Sequence, residues 1–464
     1  MKYLFWCANE HLSFRIPEFE AISNIFGLDL IWVHKSSEDP WVILDFPNED
    51  FVQKILSRSI SVKYCIELWG DGNTYEELFK RVKSYPSEKV EKYASKNRSF
   101  KIYCEAFMKK LSYEERISII DMYSFLPLKG QVKMKNPDDI YSHFEFSGFD
   151  HNNLPETPHN LFFGRCIGSG QRHLITKYSI KSRLFIGNTT MEPTLSLLMA
   201  NLAKVSKGDL VLDPFVGTGS LILAASEFGG YSFGGDIDYL MMHARTRPSR
   251  VGQKKRKKEE SMRGNFEQYQ LEKYYGDIIV ADNSRPPWRE IPWFKAIIAD
   301  PPYGIREPTE KIGTLRENVS ISEEHLPQHY PSKISYDLSE IIDDLLNFAA
   351  THLELGGRIA FWYPVNREEY NKKKLPSNSS LKLCANCEQI LSSHTSRRLL
   401  VFEKINNQGC HSENVKTDRV DNKFREHFFN ANSLTKKERK ERIKEYGHLN
   451  LSKDEPQNEE KMST

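Results

Sequence analysis

The alternation of apolar and polar positions divides the chain into two unlike halves. From Met1 to about Arg165, short apolar runs of strand length are interleaved with short amphipathic segments. Tyr3–Ala8 and Trp41–Phe46 predict strands, and Pro17–Phe26 and Asn48–Ser57 predict helices. A second α+β stretch follows, with strands at Ser61–Trp69 and Ser99–Cys104 and helices at Thr74–Ser84 and Ser112–Phe125. His143–Phe146 and Leu161–Ile167 supply later strands, separated by an irregular turn at Pro155–Pro158. From about Asn188 the pattern changes to strands alternating with helices, which predicts a mostly parallel, doubly wound sheet. The helix Glu192–Val205, with Leu195, Leu198, Met199 and Leu202 at helical spacing, comes first. Strands then fall at Leu210–Leu212, Tyr231–Gly235, Asp277–Ala281, Ala296–Ala299 and Arg358–Tyr363. Helices follow Gly219, running to about Phe228, and span Ser339–Leu353, the latter closed by Gly356-Gly357. Leu381–Leu391 and Arg397–Glu403 predict a terminal hairpin.

Composition narrows the class. A chain of 464 residues predicts two or three domains. A hydrophobic fraction of 39% is enough for sizeable cores, while 28% charged residues and a mean hydropathy of −0.57 leave polar extensions. No apolar run reaches the roughly 20 residues of a membrane span, and Tyr3–Ala8 is too short for a secretory segment. Seven scattered cysteines suit a reducing compartment. The expectation is a soluble, cytoplasmic protein.

Charge is uneven. Met1–Lys80 carries 7 Lys and Arg against 13 Asp and Glu, whereas Arg81–Lys135 carries 13 against 6. The second block includes Tyr85, Tyr93, Phe100, Tyr103 and Phe107, so it could meet phosphates and stack bases. The alternative is a solvated lysine-rich surface over aromatic core residues. A basic insertion at 245–264 contains eight basic residues and no acid between Arg245 and Lys258. It reads as an exposed flexible insertion, with RNA contact or a localisation signal as alternatives. Beyond about Lys404 the chain is polar and predicts a disordered tail, with a helix near Thr435–Glu445.

The candidate chemistry lies at the predicted strand ends. Asp213-Pro-Phe-Val-Gly217-Thr-Gly219-Ser220 joins a strand to a helix, where glycines allow close backbone approach and the helix start offers N–H donors. Asp236 and Asp238 end the next strand, in position to accept from ribose hydroxyls. Asp282 follows the third strand and could bond an adenine amino group. Asp300-Pro-Pro-Tyr303 follows the fourth. An acid, two prolines and an aromatic suit chemistry on the exocyclic amine of a planar base: Asp300 and the Pro301 carbonyl accept its N–H groups, and Tyr303 stacks. An ordinary turn is the competing reading of those four residues. Missing the third glycine of a dinucleotide fingerprint and any P-loop, and crowded with acids, the site favours S-adenosylmethionine over NAD. Cys384 and Cys387 with His394 lack a second ligand pair, so no metal is expected.

These motifs together resemble class I S-adenosylmethionine-dependent amino-methyltransferases of nucleic acids. Phe163-Gly-Arg-Cys-Ile, Leu184-Phe-Ile-Gly-Asn-Thr-Thr-Met, Asn201-Leu-Ala, Asp300-Pro-Pro-Tyr-Gly-Ile-Arg and Ser393-His-Thr-Ser-Arg-Arg narrow the resemblance. They are similar to the eukaryotic tRNA (guanine(10)-N2)-methyltransferase catalytic subunits. The resemblance implies an N-terminal α+β, ferredoxin-like subdomain (1–60), a THUMP-type RNA-binding domain (61–165) and a Rossmann-like methyltransferase domain with a seven-stranded sheet (166–404). The tail at 405–464 lies outside it. It further implies that Asp213, Phe215, Gly217 and Gly219 line the cofactor, that Asp236 and Asp238 serve the ribose, and that Asp282 contacts adenine. Thr189, Thr190 and Met191 would cover the cofactor, and Asp300, Pro301, Pro302 and Tyr303 would grip the target guanine. It implies tRNA and a small zinc-binding activating subunit as partners, and neither membrane nor DNA. Methylation of adenine or guanine in DNA or ribosomal RNA, and an inactive RNA-binding scaffold, remain the rival readings.

Overall fold

The computed structural model describes residues 1–150, 152, 153, 155, 157–305, 307–315, 330–407 and 424. Met1–Val211, Thr218–Phe233 and His243–Asp277 form one compact unit, and Leu212–Gly217, Gly234–Met242 and Ile278–Thr464 another. The N-terminal sheet contains β1 (Lys2–Cys7), β2 (Ile31–His34), β3 (Trp41–Asp45), β4 (Val62–Gly72), β5 (Phe100–Ala106), β6 (Asp139–Phe146) and β7 (Asn160–Ser169). Its helices are α1 (Arg15–Phe26), α2 (Glu49–Leu56), α3 (Tyr75–Lys83), α4 (Ser87–Glu91) and α5 (Tyr113–Asp121). The strand order is β2-β3-β1-β4-β7-β6-β5, so the two α+β stretches share one sheet. They are joined by β4, which pairs antiparallel with both β1 and β7.

The apolar run of β1 is unbroken because both its faces are covered. Tyr3, Phe5 and Cys7 enter a core with Phe19 and Ile55, while Leu4 and Trp6 enter another with Trp41, Phe144 and Phe162. Helix starts follow local chemistry. The side chains of Asn48, Thr74 and Ser112 each accept a backbone N–H at the start of α2, α3 and α5, and Glu115 completes a capping box with Ser112.

After α6 (His173–Lys177), the helix α7 (Pro193–Leu202) is buried along its whole length and packs against α1. A buried polar cluster ties these helices. Glu18 of α1 accepts from Ser59 Oγ (2.9 Å), the backbone N–H groups of Ile60 (2.7 Å) and Ser61 (2.9 Å), and Asn201 Nδ2 (2.8 Å). Asn201 in turn accepts from Arg58 Nε at 3.1 Å and donates to the Arg58 carbonyl at 2.9 Å.

The second sheet is built from β8 (Leu210–Asp213), β9 (Tyr231–Asp236), β10 (Tyr275–Val280), β11 (Phe294–Ala299), β14 (Leu353–Asn366), β15 (Leu381–Ile390) and β16 (Thr395–Lys404). A separate ribbon pairs β12 (Glu310–Ile312) with β13 (Lys333–Ser335). The connecting helices are α8 (Ser220–Glu227), α9 (Tyr239–Met242), α10 (Met262–Gln268) and α11 (Leu338–His352). The order is β10-β9-β8-β11-β14-β16-β15, in a mostly parallel sheet. β11 runs parallel to β14, while β16 runs antiparallel to β14 and β15. The progression of strands reverses between β8 and β11, the switch point at which open α/β sheets bind ligands.

Two expectations change. Gly356-Gly357 does not close α11; the helix ends at His352 and the glycines lie within β14. Leu353 already pairs with Phe294, and a Cβ on Gly357 would sit 2.9 Å from the Lys295 carbonyl oxygen, so close strand approach requires glycine there. The basic run is anchored rather than loose. Arg250 donates to the carbonyls of Leu184 (2.9 Å) and Arg183, and Arg256 donates to that of Thr246 (2.9 Å) and lies 4.8 Å over the Phe185 ring. Arg250 and Arg256 thus serve as donors to backbone carbonyls. The predicted helix near Thr435–Glu445, and the tail beyond 407 apart from Phe424, lie outside the described residues. No helix among the described residues is long and apolar enough to cross a membrane.

Candidate active site

Four acids mark consecutive strand ends. Asp213 closes β8, Asp236 closes β9, Asp282 lies just past β10, and Asp300 follows β11 directly. Three of them accept the N–H two residues ahead: Phe215 donates to Asp213 at 3.0 Å, Asp238 to Asp236 at 2.9 Å, and Ser284 to Asp282 at 2.9 Å. This is the ordinary Asx turn. Asp300 cannot make it, because residues 301 and 302 are prolines without N–H groups. Its carboxylate is thereby released from its own loop.

Side chains take the place of the missing backbone donors. The Tyr303 hydroxyl donates to Asp300 Oδ1. Arg397 Nη1, from β16, lies 3.2 Å and 3.4 Å from the two Asp300 oxygens and 3.2 Å from Tyr303 Oη. Arg397 is itself fixed: its Nε donates to Gln389 Oε1 at 2.6 Å, and its guanidinium lies 4.2 Å over the Trp362 ring. Burial pushes the Asp300 carboxyl up to about 6; Arg397 opposes that rise and Glu307 adds to it. In the sequence Arg397 opens a predicted strand and falls within Ser393-His-Thr-Ser-Arg-Arg, with no role at the site. Its partner across the sheet was not readable from spacing along the chain. A cavity of about 350 Å³ opens beside Tyr303 and is lined also by Gly304, Thr309, Lys333, Asp337 and Phe424. Arg306 of the quoted motif lies outside the described residues.

The remaining acids form a chain of acceptors. Gly217, at φ +48°, donates its N–H to Asp236 Oδ2 at 2.9 Å. Burial raises Asp236 to about 6 and holds Asp213 well above the usual carboxylate range, with Asp236 and Asp300 contributing. Asp238 accepts from Met241 at 3.0 Å, opening α9. Asp282 also accepts the Ile312 N–H at 2.7 Å. Beside it, the buried amide nitrogen of Asn283 has no partner among the described residues, a donor that sequence reading passed over.

All of these residues, with Phe215 and Asp300–Tyr303, belong to the second unit; Thr189, Thr190, Met191 and Gly219 belong to the first. There, Thr190 Oγ1 accepts the Gly187 N–H at 2.7 Å and lies 2.9 Å from Thr218 Oγ1, which brings the 189–191 segment to the glycine loop. Met191 is buried. Gly219, at φ +81°, caps α8, and a Cβ on it would lie 3.3 Å from Met262.

Of Tyr85, Tyr93, Phe100, Tyr103 and Phe107, only Tyr103 is exposed, and Tyr113 of the same block is exposed as well. Phe107 is buried, and Tyr85, Tyr93 and Phe100 pack against the core around Trp69. Tyr85, Tyr93, Phe100 and Phe107 thus serve the aromatic core beneath the charged surface, while Tyr103 stays open to solvent. An open cleft of about 420 Å³ on this region is lined by Lys63, Tyr103, Lys109, Lys110 and Arg116. Cys384 is exposed while Cys387 is buried, so the two thiols do not share one environment.

Comparison with known proteins matches two parts of the chain. Residues 1–172 match the Tmrp11 THUMP N-terminal domain, and residues 181–317 match the RMKL-like methyltransferase domain. The tRNA (guanine(10)-N(2))-methyltransferase TRMT11 of Bos taurus is 44% identical over 448 residues, covering 95% of this chain and 97% of the relative. The Homo sapiens protein of the same name is 44% identical over 451 residues with the same coverage, and that of Dictyostelium discoideum is 32% identical over 431 residues, covering 87% and 82%. The chain belongs to the TRMT11 family of tRNA (guanine(10)-N(2))-methyltransferases.

Proposed function

We propose that this protein methylates the exocyclic N2 of guanosine 10 in tRNA, with S-adenosylmethionine as methyl donor. The observation that carries the reading is the Asp300 carboxylate, freed by Pro301 and Pro302 and held by Tyr303 and Arg397. The residues fit the cofactor: acids with spare acceptor capacity suit ribose hydroxyls and a cation, the orphaned Asn283 amide suits a base acceptor, and the glycine at 217 leaves open space. When bound, S-adenosylmethionine supplies an electrophilic methyl on a positively charged sulfur.

The protein's task is positioning and charge. Asp300 accepts the N–H groups of the target amine, whose lone pair is otherwise delocalised into the base, and this interaction strengthens as positive charge develops on nitrogen. A carboxyl held near 6 is also a better proton acceptor than an ordinary aspartate, so Asp300 takes the departing N2 proton. Tyr303 and the cavity beside it accommodate the base. The basic cleft at Lys109, Lys110 and Arg116 provides phosphate contacts for folded tRNA. The reading includes a small zinc-binding activating subunit and a cytoplasmic location, both taken from the family resemblance.

The test is transfer of labelled methyl groups to purified tRNA, ribosomal RNA and DNA, with and without such a subunit, followed by nucleoside analysis. N2-methylguanosine at position 10, in tRNA alone, is the expected product. Methylated adenine, or labelling of DNA or ribosomal RNA instead, would overturn the assignment. Asp300→Ala should abolish transfer with cofactor affinity within about threefold of wild type, corresponding to less than about 1 kcal/mol.

A further inference from the structure

Among the described residues, Asp300 alone of the four strand-end acids has no backbone N–H within its Asx-turn reach, and its oxygens are held by side chains. Arg397 supplies the fixed point. Its Nη1 reaches both Asp300 oxygens, at 3.2 Å and 3.4 Å, and the Tyr303 hydroxyl oxygen at 3.2 Å. One cation therefore holds the proposed acceptor and the proposed stacking residue together. The guanidinium is in turn sandwiched into its own geometry by Gln389 of β15 at 2.6 Å and by the Trp362 ring of β14 at 4.2 Å. Its side chain is 14% exposed. A planar, permanently charged fork is suited to this, since it can serve two acceptors and stack at once. By contrast, the adjacent Arg398 points its contacts to Asn386 and Tyr370, away from the acid.

Resting on the proposed role of Asp300, we infer that Arg397 is a positioning residue for methyl transfer, locking Asp300 and Tyr303 into one acceptor unit and keeping that unit anionic. Among the described residues, the groups that set the charge of Asp300 are Arg397 from β16, which favours the ionised form, Glu307 from the following loop, which opposes it, and Asp213 of β8, which is coupled to it. Arg397 is the cation of this set. Removing it leaves Asp300 between two acids and a phenol, so the carboxylate protonates more readily.

The experiment is a pH–rate profile on the full chain for Arg397→Gln, Arg397→Lys and Asp300→Asn, with tRNA saturating and cofactor binding measured in parallel by calorimetry. Arg397→Gln should bind cofactor within a few-fold of wild type, lose about tenfold or more in kcat, and move the acidic limb of the profile upward by roughly one pH unit. Arg397→Lys, which keeps the charge but loses the fork, should recover part of kcat and leave the limb where wild type has it. A wild-type rate and profile in Arg397→Gln, alongside an inactive Asp300→Asn, would sink this inference and leave the role of Asp300 standing. Full activity in Asp300→Asn would remove the reading beneath it. Should Arg397→Gln fail to bind cofactor, Gln389→Leu, which frees the guanidinium from its anchor, decides the matter: a reduced kcat with the limb unmoved supports positioning, and an unchanged kcat refutes it.

Discussion

At the end of β11, an N–H at position 302 would be drawn to Asp300 as those of Phe215, Asp238 and Ser284 are drawn to the acids two residues before them. Such a bond is worth about 1–1.5 kcal/mol, comparable with the roughly 1.4 kcal/mol that changes a rate tenfold. Pro302→Ala should therefore cut kcat by about tenfold, while cofactor affinity and melting temperature stay close to wild type; single-turnover assays on saturating tRNA would check it. The same carboxyl gives a pH prediction with opposite signs for activity and stability. Its folded value is about 6 against an ordinary 3.8. Activity should fall as pH drops through about 6, since both Asp300 and Asp236 become protonated there. The stability contribution runs the other way: it is fully present below 3.8 and is lost as pH rises through about 6. Thermal melts between pH 4 and 7 would read it. The acids themselves were legible in the sequence, because each follows an apolar run of strand length. Arg397 was not, because its partner lies 97 residues away along the chain.

Elements with strong local signals came through best. Asn48, Thr74 and Ser112 open α2, α3 and α5 where those helices were expected to begin, because capping is a matter of a few adjacent residues. The four-residue β2 and the three-residue strands β12 and β13 carry no periodicity to read, and they owe their form to pairing with neighbours. Gly356-Gly357 misled for a related reason: glycine punctuates helices and also permits close strand contact, and only the pairing of Leu353 with Phe294 distinguishes the two. The start of α8 gives a sharper case. Gly219 combines left-handed backbone with a Met262 contact that leaves little room. Gly219→Ala should weaken cofactor binding by about tenfold, from roughly 1–2 kcal/mol of backbone strain, measured by calorimetry alongside the melting temperature.

At the scale of the whole molecule, the long-range order of both sheets exceeds what periodicity can specify. That the two N-terminal stretches share one sheet depends on β4 pairing on both sides, which no local pattern announces. The nature of the substrate was legible only through the resemblance, while the charge asymmetry pointed merely to a polyanion. The surviving part of that signal predicts behaviour in salt. Lys110→Glu combined with Arg116→Glu should raise KM for tRNA by about tenfold or more and flatten its dependence on salt concentration, with kcat at saturation unchanged. A titration of KM between 50 and 200 mM salt, roughly the range over which phosphate contacts are screened, would test it.

The burial of α7 bears on how such a protein can be divided. All ten of its residues are covered, Asn201 among them, and α1 is part of the cover. A methyltransferase portion cut away from the N-terminal region would present a greasy rod to water and leave the Asn201 amide without Glu18. Grafting a foreign RNA-binding module onto this portion would accordingly fail unless the graft brought a helix with an acid in place of Glu18. The boundary along which tRNA specificity could be exchanged between relatives thus runs around α1 and α7 together, and recombination that separates them would be purged as insoluble protein before its activity could be tried.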